Sequence, residues 1–328
     1  MGEFRPSRPR FRRTAGAARI ELTPDDIGII QTVYRHRFVP ADCLYRLFPR
    51  RSSDRLSRRL TLLFRNEFLD RPVAQIDRFG EGGSRPLVYG LGNAGARFLK
   101  ERLGTPLGRT DWRSRNKTYT RESLDHTLAV SRHLIDLELA CRAHAQAELI
   151  PFDEILANAP ENTQRMANPS SWSISVQWHG TRSTILIAPD AIFGLRMKDG
   201  AGESRVAYFF LEIDRGTMTI TPSERVRESD AFPYRATILR KLYAYADSHR
   251  QGLHKSHLGI PSARVLTLTT RASRALVMRH TAETLIVRPM KLPAALFLFG
   301  VQSGGQDPLT HELEDAGGGK TRLLPNTG

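Results

Sequence analysis

The sequence predicts a mixed α/β protein built from two domains. Its 328 residues, 40% of them hydrophobic, are enough for more than one hydrophobic core. Apolar residues recur mainly at helical spacing in residues 21–104, whereas residues 171–269 contain several short runs typical of strands. A domain dominated by helices is therefore expected first, followed by a sheet flanked by helices.

Positive charge is concentrated in the first third of the chain. The net charge is +15, and Lys and Arg outnumber Asp and Glu by 25 to 12 in residues 1–120 but only by 24 to 22 in the remainder. This excess favours nucleic acid as the partner, and a solvated basic surface is the alternative. Residues 1–20, rich in Arg, Pro and Ala, are predicted to form a disordered basic arm.

Three helices are expected before the first hairpin. One begins at Pro24 behind a threonine N-cap, a short one opens at Pro40, and a third runs from a serine cap to Leu69. Residues 70–76 and 86–92 flank a glycine-rich turn and are predicted to be two strands, after which "NAGARFLKERL" starts a fourth helix.

Three helices followed by a two-stranded ribbon is the element order of a winged helix, which we assign to residues 21–104. In this interpretation the third helix lies in the major groove of duplex DNA and the wing contacts the backbone. A protein-docking role for the same fold is the alternative. The predicted DNA-binding residues are Arg51, Arg55, Arg58, Arg59 and Arg65 near or on the third helix, and Arg78 and Arg85 in the wing.

The remaining chain is predicted to be a linker, an α/β domain and a tail. Residues 105–121 are polar and basic and are expected to link the domains. Residues 122–300 form the second domain, which opens with a long helix, and residues 301–328 are expected to be disordered. The expected strands cover residues 171–178, 182–190, 191–197, 205–214 and 263–270, with a helix at 233–249.

Several classes of protein are disfavoured by the sequence. No apolar run approaches the roughly 18 residues of a membrane span, and the first residues lack the apolar segment of a secretory signal. Cys43 and Cys141 have no ligand residues at metal spacing, so neither a disulfide framework nor a zinc site is expected. We therefore expect a cytoplasmic protein that does not bind membranes.

The stretch "YFFLEID" ends a hydrophobic strand on two carboxylates, Glu212 and Asp214. The strands on either side of the polar turn around Ala201 are predicted to pair as an antiparallel hairpin. If that turn is symmetric about Ala201, Asp190 faces Glu212. Asp214 projects from the same face as Glu212, because alternate residues of a strand share a face.

Three carboxylates at one end of a sheet would repel one another. A bound cation is the simplest compensation, and ligands that are all oxygen favour Mg²⁺ or Mn²⁺. Asp190, Glu212 and Asp214 are therefore the predicted metal ligands. The alternative is a solvated strand end neutralised by Arg215.

The "PD" at Pro189 and Asp190, followed by "EID" at 212–214, resembles the PD-(D/E)xK nuclease core. This resemblance implies metal-dependent phosphodiester cleavage with Asp190 and Glu212 as ligands. Asp214 occupies the position of the family's catalytic lysine. Some members of the family carry the basic residue on the next helix, where Lys241 precedes Tyr245 by one turn. The resemblance thus implies Asp190, Glu212, Asp214 and Lys241 as catalytic residues, and leaves open a core that has lost catalysis.

A series of segments in order resembles the replication-relaxation family over roughly residues 22–280. They are "LTPDDIGIIQTVYRHRFV", "RRLTLLFRNEFLDRP", "RPLVYGLGNAGARFL", "LDHTLAVS", "PDAIF", "FFLEIDRGT" and "RKLYAYADSH". The family is associated with plasmids and integrative mobile elements. The resemblance implies an accessory DNA-binding protein that acts in replication, relaxation or mobilisation.

Three functions follow from these observations. The leading hypothesis is an accessory protein that binds double-stranded DNA, as a monomer or homodimer, and works with other replication, relaxation or mobilisation proteins. The second is a metal-dependent DNA endonuclease or nickase. The third is a winged-helix transcriptional regulator whose second domain docks a partner or dimerises.

Overall fold

The computed structural model describes most of the chain and divides it into two compact units, residues 1–135 and 136–328. Helices and strands occur in both units, which confirms the mixed α/β fold class. The described residues are 10–13, 20–76, 85–105, 107, 110–178, 181–198, 203–229, 231–302 and 304–324.

The first unit is mainly helical with one small sheet. Its three strands pair antiparallel in the order β1-β3-β2. The elements are α1 Pro24–His36, β1 Phe38–Pro40, α2 Ala41–Leu47, α3 Ser53–Arg65, β2 Leu69–Asp70, β3 Val88–Leu91, α4 Asn93–Leu103, α5 Trp112–Lys117 and the first part of α6 Arg121–Ala143.

The start of α1 has the cap that the sequence predicts. The Thr23 hydroxyl accepts a hydrogen bond from the Asp26 N–H, and the Asp26 carboxylate accepts one from the Thr23 N–H at 2.7 Å. Pro24 occupies the first helical position. Asp26 is completely buried, where its carboxylate also receives the guanidinium of Arg59 from α3. One carboxylate therefore caps α1 and ties α3 to it.

The core of this unit is formed by the apolar faces of its helices. α3 buries Leu56, Leu60 and Leu63 at the three-to-four-residue spacing that the sequence shows, and these residues are fully shielded from solvent. Ile29 and Ile30 of α1 are equally buried. The three predicted helices are thus present, but α3 ends at Arg65 rather than at the predicted Leu69, which lies in β2. The chain leaves the helical conformation at Glu67, whose φ is 64°.

The predicted hairpin is shorter than expected on its first side. β2 has two residues, and Val73–Gln75 forms a 3₁₀ turn where a strand was predicted. Pro72 explains the difference, because it lacks the N–H that would continue the ladder. Arg78 lies outside the described residues.

The segment predicted to be a linker contains a packed helix. Trp112 of α5 is buried, and the guanidinium of Arg37 lies 4.5 Å from the centre of its ring. Arg37 also stacks on the rings of Phe38 and Tyr119. This cation–π packing anchors residues 112–119 to the first unit, whose boundary falls later, within α6.

The second unit is built around a seven-stranded sheet with the order β12-β11-β10-β9-β8-β7-β4. The pairs β8–β9 and β9–β10 are parallel, and the others are antiparallel. β5 and β6 form a separate hairpin. The elements are β4 Ala147–Ile150, α7 Phe152–Ala157, α8 Glu161–Gln164, β5 Trp172–Trp178, β6 Thr181–Ile187, β7 Ala191–Lys198, β8 Ser204–Asp214, α9 Glu224–Arg227, α10 Ile238–Arg250, α11 Leu253–Leu258, β9 Arg264–Thr269, α12 Ala272–Ala282, α13 Arg288–Met290, β10 Phe297–Val301, β11 Leu313–Asp315 and β12 Lys320–Thr321.

The hairpin of β7 and β8 has the predicted register. Ala191 pairs with Leu211 and Ile192 with Phe210, so the pairing is centred where the symmetric turn required. Asp190 directly precedes this ladder, and its N–H donates to the carbonyl of Leu211 at 3.0 Å. The hairpin thus brings Asp190 beside the end of β8.

The parallel neighbours of β8 require crossover connections, and helices provide them. α10 and α11 connect β8 to β9, and α12 connects β9 to β10. Residues of α10 and α12 pack into one hydrophobic core with Phe210, Val265 and Phe299. Both helices therefore cover the sheet face on which the carboxylates of β8 lie.

Residues 304–324, predicted to be part of a disordered tail, instead add two strands to the sheet. Leu309, Leu313 and Leu323 are buried there. The turn between β11 and β12 is held by Asp315, whose carboxylate accepts from the Gly319 N–H at 2.8 Å. Gly318 has φ 89°, which only glycine adopts readily. Separately, none of the helices in the described part of the chain is both long and apolar enough to cross a membrane.

The Asp26–Arg59 pair gives a stability prediction. Arg59→Gln leaves a buried carboxylate without its cation and should lower the free energy of unfolding by about 3 kcal/mol. Arg58, which directly precedes Arg59, is exposed and forms no ion pair with any described residue. Arg58→Gln is the matched control, with an expected change within about 0.5 kcal/mol. Urea unfolding of both variants checks this, and equal stabilities would contradict a structural role for Arg59.

Candidate functional site

Two carboxylates lie at the carboxyl end of β8, at the edge shared with the parallel strand β9. Glu212 pairs with Thr267 and Asp214 with Thr269. Both carboxylates belong to buried residues. Because alternate residues of a β-strand share a face, both side chains lie on one face of the sheet, as predicted. The side chains that bind the two carboxylates are different.

Glu212 is held by two side chains of α10. Lys241 Nζ donates to Glu212 Oε2 at 2.6 Å, and the Tyr245 hydroxyl donates to Oε1 at 2.6 Å. Lys241 and Tyr245 lie one helical turn apart, so both reach the same carboxylate. Lys241, which the resemblance placed on the helix after β8, therefore forms a direct ion pair with Glu212.

Burial sets the protonation behaviour of this cluster. It raises the pKa of Glu212, an effect that Lys241 partly offsets and Asp190 reinforces. Burial also favours neutral Lys241, but the carboxylates of Glu212 and Asp190 outweigh it, so the pKa of Lys241 is raised. Burial, together with Glu212, raises the pKa of Tyr245 well above its ordinary value. Tyr245 is therefore a neutral hydrogen-bond donor.

Asp214 belongs to a separate ion pair. Arg274 of α12 donates to Oδ2 through Nε at 2.6 Å and to Oδ1 through Nη2 at 2.9 Å. The Thr269 hydroxyl and the Gly216 N–H also donate to Oδ2. Burial alone would raise the pKa of Asp214, but these hydrogen bonds outweigh it and the pKa is lowered.

Asp190 is also committed to a protein donor. Its Oδ2 accepts from the Ile213 N–H at 2.7 Å, which lies between the two buried carboxylates of β8. The charge of Asp190 acts on Glu212 and Lys241, so it remains electrostatically part of the Glu212 cluster. Asp190, Glu212 and Lys241 thus form one group, and Asp214 with Arg274 forms another.

Each of the three predicted metal ligands accepts a hydrogen bond from a protein donor. Among the described residues no group of three His, Cys, Asp or Glu side chains is arranged to hold a metal ion. The physical reason is that Asp214 is turned to the fork of Arg274 rather than to Glu212. The repulsion that a cation was expected to relieve is relieved by Lys241 and Arg274.

Arg274 was not anticipated from the sequence. In the alternative without a metal ion, Arg215 was to neutralise the strand end, yet the cation on Asp214 comes from the helix after β9. Arg274 can be identified as the partner of Asp214 only when β9 is known to lie parallel beside β8, because this arrangement places the start of α12 next to Asp214. The sequence pattern alone contains no signal for that neighbour.

The predicted DNA-binding arginines of the first unit divide into two groups. Arg51 donates to Asp25 at 2.7 Å and also to Thr23, and Arg59 is paired with Asp26. Both arginines therefore take part in ion pairs within the first unit. Arg55 and Arg58 are exposed on α3 and form no ion pair with a described residue.

A basic cleft of about 520 Å³ adjoins α3 in the first unit. Arg65 of α3 and Arg85, both predicted to bind DNA, line it together with Arg10 and Arg12. Tyr45 adds an aromatic ring to its wall. The cleft combines positive charge with a ring that a nucleotide base can contact.

Comparison with known families identifies one match. The profile of the replication-relaxation family matches residues 30–262, which is more than half of the chain. No curated protein and no solved structure matches the chain.

The Asp214–Arg274 pair makes stability depend on pH in a defined direction. Because the folded-state pKa of Asp214 lies below its ordinary value of 3.8, the pair stabilises the fold above that pH and loses its contribution as pH falls through the lowered pKa. Asp214→Asn should therefore be less stable at neutral pH and lose less stability between about pH 5 and pH 2.

Urea unfolding at a series of pH values measures this difference. Glu228 is exposed and its carboxylate forms no ion pair with a described residue, so Glu228→Gln provides the control substitution. Parallel pH profiles for wild type and Asp214→Asn would contradict the proposed coupling.

Proposed function

Because the chain belongs to the replication-relaxation family, we propose that it is a cytoplasmic DNA-binding accessory protein of a plasmid or integrative mobile element. It acts in replication, relaxation or mobilisation, in company with other proteins of that process. The observation that carries the proposal is the exposed pair Arg55 and Arg58 on α3, beside the basic cleft. Arginines without internal partners are available to phosphates.

The topology of the first unit supports a winged-helix assignment. Three helices precede a hairpin, and the short strand β1 completes an antiparallel sheet in the order β1-β3-β2. In this arrangement α3 is the recognition helix that lies in the major groove of duplex DNA. Its buried leucines fix its orientation, so the opposite face, with Arg55 and Arg58, points to solvent.

The basic cleft supports a second set of phosphate contacts. Arg85 precedes β3, and Arg10 and Arg12 lie at the same cleft. Arginines in these positions would hold the DNA backbone on either side of a helix in the groove, and so fix the register of the protein on the duplex.

A second candidate function is a DNA nickase, which the Lys241–Glu212 contact favours. We propose that the second unit is a PD-(D/E)xK-like domain in which Lys241 stands where the missing motif lysine would act. Its ammonium group lies 2.6 Å from Glu212 and its side chain is partly exposed, so it can also stabilise negative charge on a phosphate.

A divalent ion in such a site would be held by Asp190 and Glu212 only, since Asp214 is engaged by Arg274. Mg²⁺ commonly takes one or two protein carboxylates and completes its shell with water and substrate phosphate. The ion would polarise the scissile phosphate when bound. Lys241 and Tyr245 would orient the Glu212 carboxylate through their hydrogen bonds.

Duplex binding should depend on the exposed arginines of α3. Replacing Arg55 and Arg58 together by Ala should weaken binding to a labelled duplex and lower the slope of log K against log salt by roughly 0.9 per lost phosphate contact. Fluorescence anisotropy over a range of salt concentrations measures both quantities.

The matched control removes two exposed arginines from the second unit. Arg182 of β6 and Arg205 of β8 are exposed and form no ion pair with a described residue. The double Ala variant carries the same change in net charge. Equal salt slopes for the two double variants would refute α3 as the DNA surface.

Nicking should require Lys241. If the second candidate holds, supercoiled plasmid incubated with the protein and Mn²⁺ becomes nicked, and Lys241→Ala abolishes the activity because the phosphate loses a cation. Lys255→Ala, which removes an exposed lysine of α11, is the control. A wild-type protein that binds duplex DNA but nicks no plasmid would reject the nickase and leave the accessory role intact.

A further inference from the structure

A second basic cavity lies in the second unit, at the carboxyl ends of the parallel strands β8 and β9. Its volume is about 410 Å³. Arg215, Arg271 and Arg274 line it together with the hydroxyl residues Thr270 and Ser273, and none of its lining residues is acidic. Ligands of sheets with parallel strands commonly bind at this end of the strands.

The three arginines contribute unequally to the charge of this cavity. The charge of Arg274 is balanced by Asp214, which lies behind it. Arg271 is exposed and forms no ion pair with a described residue. The cavity therefore retains positive charge after the internal ion pair is taken into account.

The polar groups of the cavity suit a phosphate. Guanidinium groups donate paired hydrogen bonds to phosphate oxygens, and hydroxyls add single ones. α12 begins at the cavity, and no side chain caps its first turn, so the positive end of its dipole adds to the attraction of the arginines. The arginine-lined cavity is the primary feature, and the helix end is secondary.

We propose that this cavity binds a backbone phosphate of a nucleic-acid strand. The inference rests on the proposed DNA-binding function. Asp214, which forms the ion pair with Arg274, lies two residues beyond Glu212 on β8, a separation of about 7 Å along a β-strand. A nucleic-acid strand whose phosphate occupies the cavity would lie at the same end of β8 as the Glu212–Lys241 pair. The cavity then positions the strand next to the candidate nickase site and does not require that site to be active.

Two substitutions test the cavity without disturbing the fold. Arg271→Ala removes the exposed arginine. Ser273→Asp places a carboxylate at the start of α12, where it should favour the helix but repel a phosphate. Arg205→Ala is the control, because it removes an exposed arginine near the other end of β8. Melting temperatures without ligand verify folding, and Ser273→Asp should melt no lower than wild type.

The first probe is a short fluorescein-labelled single-stranded oligonucleotide, bound to the full chain at a series of salt concentrations. Arg271→Ala and Ser273→Asp should each lower the slope of log K against log salt by about 0.7 relative to Arg205→Ala. If both variants match Arg205→Ala, the cavity does not hold a backbone phosphate and the inference is wrong.

The second probe is inorganic phosphate at constant ionic strength, measured by the rise in melting temperature. A rise in wild type that is lost in Arg271→Ala and Ser273→Asp supports phosphate binding at this cavity. A different outcome is that the two variants lose the rise with phosphate and still show the same slope of log K against log salt for the oligonucleotide as Arg205→Ala. In that case the cavity binds free phosphate, and its assignment to nucleic acid is overturned.

The outcome is separable from that of the α3 experiment. If the α3 variants weaken duplex binding and the cavity variants leave the oligonucleotide slope unchanged, the proposed function survives and this inference fails. If the reverse holds, the cavity is the DNA contact and the α3 surface is rejected.

Discussion

The carboxylates at the end of β8 constrain the whole second unit. A buried carboxylate without a partner is strongly destabilising, so each must receive a cation or hydrogen bonds from a neighbouring element. Glu212 receives Lys241 and Tyr245 from α10, and Asp214 receives Arg274 from α12. The two crossover helices are thereby tied to the same strand end, and the parallel strand order places both helices within reach.

The same division between structural and available charge occurs in the first unit. Arg59 is bound to the buried Asp26, whereas Arg58 beside it is exposed. Only part of the positive charge of α3 is therefore available to an external ligand, because Arg59 holds the helix in place. The proposed DNA contacts in both units use arginines that form no ion pair with a described residue, Arg55 and Arg58 on α3 and Arg271 beside α12.

Local features were predictable from the sequence, and distant pairings were not. The cap at Thr23 and the register of β7 with β8 follow from neighbouring residues and a short turn, so residue order determines them. The partner of Asp214 depends on β9, a strand about 50 residues later that pairs in parallel. The packing of Trp112 against Arg37 and the addition of β11 and β12 depend on contacts of the same long-range kind.

The ion pair between Lys241 and Glu212, rather than a shared metal ion, is expected to stabilise the acidic end of β8. A double-mutant cycle of Glu212→Gln and Lys241→Met, measured by urea unfolding without divalent metal, tests it most directly. The two changes should be non-additive, with a coupling energy of about 2 kcal/mol. Additive changes in the free energy of unfolding would contradict it.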